Sequence, residues 1–114
     1  NSLTLYEKGL AISRSIGDLR GESTALSNIG IVYMNQKHYN SALLVFNYAA
    51  NILMKIKDSN GLFKNQINLA ETKFHLNYLD DAVSNYERGI EILETIVSMM
   101  TNQESKIIFN QKNY

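Results

Sequence analysis

Apolar residues recur along this chain at helical spacing. Leu26, Ile29, Gly30 and Tyr33 fall at i, i+3, i+4 and i+7, which places them on one face of a helix. Leu69, Ala70 and Phe74 form the matching stripe one period later. A second, wider stripe of Ala42, Leu43, Phe46, Ala49, Ala50 and Leu53 is matched position for position by Ala82, Val83, Tyr86, Gly89, Ile90 and Leu93. A stripe that wide marks a helix packed on two sides. The pattern predicts helices near residues 2–16, 19–36, 40–56, 59–76 and 80–99. Only a few residues separate each helix from the next, so neighbours must run antiparallel.

The matches share one period of 40 residues. Tyr6, Phe46 and Tyr86 obey it, as do Ile12, Ile52 and Ile92, and Ile16, Ile56 and Ile96. Asp18 and Gly21 return as Asp58 and Gly61, and Asn28 returns as Asn68. A period of this size indicates stacked helical units, which work by presenting an extended surface. The register divides the chain into the second helix of an incomplete repeat at 1–17, repeats at 18–57 and 58–97, and a degenerate end at 98–114. Asp18 and Asp58 are N-cap candidates, because a short carboxylate accepts hydrogen bonds from the free amides of a first helical turn. Asn40 and Asp80 are the candidates for the alternate helices. Ser98 and Thr101 replace the expected Asp and Gly, and Ile107, Ile108 and Phe109 follow out of register. A turn near 98–101 and a short capping helix near 102–113 are therefore expected.

Composition narrows the function. Eleven basic and eleven acidic residues cancel, whereas nucleic-acid binders usually carry a basic excess. No apolar run approaches the ~18 residues of a membrane span. Without cysteine there is neither a disulfide nor a thiolate metal site, and a cytoplasmic protein is expected. His38 and His75 are isolated, whereas zinc needs three or four convergent ligands, so no metal or other cofactor is expected. Asp80 and Asp81 suit a helix N-terminus better than paired acid–base work. No serine sits in a nucleophile motif, and no catalytic residue is expected.

With these residues in view, the chain resembles the tetratricopeptide repeat. That family carries a large residue, a Leu-Gly pair and a Tyr on its first helix, then Ala, an aromatic residue and Ala on its second. Here these are Leu26, Ile29-Gly30 and Tyr33, then Ala42, Phe46 and Ala49. The next repeat reads Gln66, Leu69-Ala70 and Lys73, then Ala82, Tyr86 and Gly89. Gln66 and Lys73 depart from the pattern, so looser packing is expected there. The usual family period is about 34 residues. The longer period and Asp-containing turn are similar to repeats of kinesin light chain, Pins-type scaffolds and bacterial signalling proteins. The resemblance covers roughly residues 2–96. It implies an all-α, right-handed solenoid of antiparallel helix pairs, ending in the capping helix.

The family's first helices line a groove that binds peptides. The corresponding face here holds Ser27, Asn28, Ile31 and Asn35, then Ile67, Asn68, Glu71 and His75. The resemblance gives Asn28 and Asn68 the role of bonding a bound peptide backbone, which an amide does by donating and accepting at once. The implied function is a non-catalytic scaffold for a protein or peptide, with no nucleic acid or membrane partner. One rival is a regulatory segment joined to a signalling enzyme such as a kinase or a CHAT-type peptidase; Ser105 to Tyr114 faintly resembles the segment following the repeats in the latter. Another is self-association into a homodimer through unfinished solenoid ends. The apolar residues Leu3, Leu5, Tyr6, Leu10, Ile12 and Ile16 are more than one neighbouring helix can cover.

Overall fold

The computed structural model describes residues 1–112, all in helices and the short turns between them. The helices are α1 (Ser2–Ile16), α2 (Leu19–Asn35), α3 (Tyr39–Lys55), α4 (Ser59–His75) and α5 (Leu79–Lys112). Each packs on its neighbour in the chain, and α2 also touches α4. Among the described residues no helix is long and apolar enough to cross a membrane. The radius of gyration is 17.2 Å, against about 13 Å for a compact domain of this length. The elongation follows from stacking: each layer is buried by its neighbours rather than by one central core.

Chemistry at the turns sets the helix ends. Asp18 and Asp58 cap α2 and α4, their Oδ1 atoms accepting from the Gly21 and Gly61 amides at 3.0 Å. Gly17, Lys37, Lys57 and Asn77 close the first four helices in the left-handed conformation, with φ between 57° and 72°. At Lys37, Lys57 and Asn77 the next amide bonds back to the carbonyl of Tyr33, Leu53 or Lys73, satisfying the last turn.

Two expectations need correction. Asn40 and Asp80 are not caps, because α3 and α5 begin one residue earlier. The left-handed residue at 37 or 77 turns the chain so that His38 and Tyr78 stand at the N-terminus, their carbonyls accepting from Ala42 and Ala82. His38 makes no side-chain cap. Nor is there a turn near 98–101. α5 continues unbroken to Lys112, so the expected capping helix is the outer half of α5; residues 113 and 114 lie outside the described residues. The left-handed residues recur every 20 positions, and the next place in that series is Val97. A β-branched side chain strongly resists positive φ, so no stop forms and the helix runs on.

The core lies where α3 is enclosed by α2 and α4. Ala42, Phe46 and Ala49 are completely buried. Phe46 packs with Ala42 and Leu69, while Leu26, Ala49 and Leu53 form a second cluster. Gly30 admits the Phe46 ring, since a Cβ there would collide with it. The departures at Gln66 and Lys73 line a groove of about 440 Å³ between α3, α4 and α5. Asn85 Nδ2 donates to Gln66 Oε1 at 2.8 Å, and Lys73 Nζ donates to Asn85 Oδ1 at 2.7 Å. A hydrogen-bonded trio thus replaces the apolar contact expected there.

Candidate functional site

A groove of about 510 Å³ runs between α2 and α4, with Leu53 of α3 also in its lining. It has the size of a small-ligand or short-peptide site, roughly 300–1,000 Å³. Helical periodicity brings Ser27, Asn28 and Ile31 to its α2 side and Lys64, Asn65 and Asn68 to its α4 side. Arg20 closes one end by bonding Asp58 Oδ2 at 3.1 Å, and the same carboxylate caps α4. One turn therefore ties two repeats together and shapes the groove.

Its chemistry is that of amides. The side chains of Asn28 and Asn68 are half-buried, and neither makes a hydrogen bond among the described residues. Asn65 is 2% exposed and donates its Nδ2 to the Phe46 carbonyl at 2.9 Å. Its Oδ1 has no donor partner among the described residues. Such an acceptor is costly to leave unmet. Lys64 is exposed and has no carboxylate partner among the described residues, so the groove carries one unbalanced positive charge. Backbone-like polarity, an apolar wall at Ile31 and a single unbalanced cation suit an extended polypeptide.

Four of the eight residues expected on this face line the groove: Ser27, Asn28, Ile31 and Asn68. Ile67 instead approaches Gly89 of α5, where its Cδ1 would lie 3.2 Å from an added Cβ. Asn35 and Glu71 are exposed and outside the lining. His75 stacks on Tyr39, with ring centroids 4.7 Å apart and planes nearly parallel. It sits at the C-terminal end of α4, past the groove. Asn65 was legible only as a break in period: it stands where the preceding repeat has Ala25. No group of three metal-ligating His, Asp or Glu residues occurs among the described residues.

A second groove, about 400 Å³, lies between α1 and α2. Ser13, Asp18, Arg20, Gly21, Thr24, Ala25 and Asn28 line it. Forty residues on, these become Leu53, Asp58, Asn60, Gly61, Lys64, Asn65 and Asn68, all of which line the α2–α4 groove. The fold thus forms the same site twice, and the α1–α2 copy lacks the wall that α2 supplies to the other.

No protein-family model and no curated protein matches the chain. A solved structure does: the crystal structure of the TPR domain of Arabidopsis FLU, with a TM-score of 0.77 over 82% of this chain and 78% of that one, at 22% identity. At that identity the likeness is one of fold, and the chain is an all-α solenoid of the tetratricopeptide-repeat type.

Proposed function

We propose that the chain is a non-catalytic interaction scaffold that holds an extended segment of a partner protein in the α2–α4 groove. The observation that carries this reading is the pair of unpartnered, half-buried amides of Asn28 and Asn68, one repeat apart in one groove. Two amides at this spacing can hold a backbone at two points while leaving its side chains free. The orphan Oδ1 of Asn65 adds an acceptor for a backbone N–H. Lys64 favours a segment with an acidic side chain.

The test is selection of peptides from a random library against the 114-residue chain, followed by titration of the selected peptides. Loss of two net hydrogen bonds, at ~0.5–1.5 kcal/mol each, weakens binding by roughly 5- to 150-fold. The Asn28→Ala/Asn68→Ala variant is expected to show that loss with an unchanged melting temperature. Selected peptides that bind this variant as tightly as the wild type would place the site elsewhere. A library that yields no binder would remove the reading.

A further inference from the structure

α5 has 34 residues, whereas no other helix among the described residues exceeds 17. Among the described residues it packs on α4 alone, so its outer half extends past the body of the solenoid. Along its whole length runs an uncovered stripe with alternating spacings of three and four. Val83, Ile90 and Val97 occupy one set of positions, and Tyr86, Leu93, Met100 and Ile107 the other. All are between 37% and 61% exposed. This is a heptad seam with β-branched residues at a and Tyr86, Leu93, Met100 and Ile107 at d. A β-branched a with Leu at d, as at Ile90 and Leu93, is the pairing that favours two parallel strands. The a positions become polar only at Glu104 and Gln111.

The fold shows what kind of object covers such a stripe. Forty residues earlier the first four positions are Leu43, Phe46, Ala50 and Leu53 on α3, and α4 packs against them. A helix is therefore the fitting occupant. A repeat helix of 17 residues would end before Met100 and Ile107 were covered; only a helix as long as α5 reaches them. We propose that this occupant is α5 of a second copy, paired parallel and in register as a two-stranded coiled coil.

Three further points favour the arrangement. The seven half-exposed side chains present roughly 700 Å² per helix, so a pair buries at most about 1,400 Å² from the seam itself, which reaches the ~1,200–2,000 Å² of a specific interface. α4 covers the face of α5 that holds Ala82, Asn85, Gly89 and Ile92. That face lies about 100° around the helix from the seam, so the two solenoid bodies project to opposite sides. A parallel register also confines the polar a positions Glu104 and Gln111 to one end, at the cost of a like-charge Glu104 contact there, whereas an antiparallel one centred on Val97 would bury Glu104 against Ile90 nearer the middle of the seam.

The oligomeric state of the 114-residue chain by analytical ultracentrifugation tests this. A dimer is expected, and a strictly monomeric chain at high micromolar concentration overturns the proposal. Val97 lies beyond the end of α4, so Val97→Asp leaves the solenoid folded by circular dichroism while weakening association on the order of a hundredfold. A dimer indifferent to that change uses another surface. The chain has no cysteine, so single introduced thiols report register. Met100→Cys is expected to form a disulfide-linked dimer far faster than Ser98→Cys, which points away from the seam; equal rates exclude a parallel pairing. Glu104→Leu relieves a like-charge contact and is expected to tighten the dimer at least about tenfold. No change, or loosening, would show that the seam stops short of residue 104.

Discussion

The hydrogen-bonded trio of Gln66, Lys73 and Asn85 stands where the preceding repeat places Leu26, Tyr33 and Val45, so an apolar solution to the same packing problem exists in the same molecule. Gln66 is 5% exposed and Asn85 3%. Asn85→Val removes the partner of both the Gln66 amide and the Lys73 ammonium. A buried orphan costs ~1–3 kcal/mol, and Lys73, only half-buried, regains some water. The single change is therefore expected to cost about 2–4 kcal/mol. Converting all three positions to the first repeat's residues, Gln66→Leu/Lys73→Tyr/Asn85→Val, leaves no orphan and adds apolar burial. Replacing a complete polar cluster in this way is often neutral or stabilising by ~1–4 kcal/mol. Urea unfolding followed by circular dichroism and by tyrosine fluorescence measures both variants. With m of about 2 kcal/mol/M, the single change moves the midpoint by roughly 1–2 M, and the two signals check that unfolding is concerted. A cost below ~0.5 kcal/mol for Asn85→Val, or a triple variant less stable than the single, would refute the account of the trio as a linked substitution.

Other consequences follow from the same geometry. Phe46→Ala should cost ~3–5 kcal/mol in chemical denaturation, since the ring is completely buried between Gly30 and Leu69. Gly30→Leu should also destabilise, by several kcal/mol, because Cβ alone already meets the ring and overpacking costs ~1–3 kcal/mol before any backbone contact is lost. A change under ~0.5 kcal/mol in either would mean that the buried face is misassigned. Asp58→Ala removes both the α4 cap and the Arg20 contact and should cost ~1–2 kcal/mol, with Asp58→Asn recovering most of it through the retained cap. α1 has no fully buried residue, and Leu5, Ile12 and Ile16 are more than 60% exposed, so hydrogen exchange over residues 2–16 should outpace that over 39–55. Equal protection in the two segments would mean that α1 is covered by another chain.

The parts of this fold legible in the sequence are those decided within one or two helical turns. The i, i+3, i+4 stripes located all five main helices, because amphipathic spacing belongs to a single segment. Asp18 and Asp58 were recognisable as caps because the carboxylate bonds an amide only three residues away. The turn expected after Ile96 does not form, because Ser98 and Thr101 mark only the far side of the turn, while the helix stop depends on the left-handed residue before them. Val97 carries that information locally, in its β-branched side chain.

The groove and the seam depended on packing between segments. Ile67 and Asn68 are adjacent on one helix, yet one turns to α5 and the other to the groove, according to where the neighbouring helices lie. Asn65 acquires its orphan acceptor only because its Nδ2 is drawn to the Phe46 carbonyl on another helix. The stripes of α3 and α5 match position for position, but Phe46 is fully buried while Tyr86 is 37% exposed. Sequence by itself determined that each stripe would seek a helical neighbour, because apolar area at this spacing is unfavourable in water whatever surrounds it. Which stripe α4 covers and which is left open was decided only in the tertiary structure, because burial is a property of the neighbour as much as of the residue.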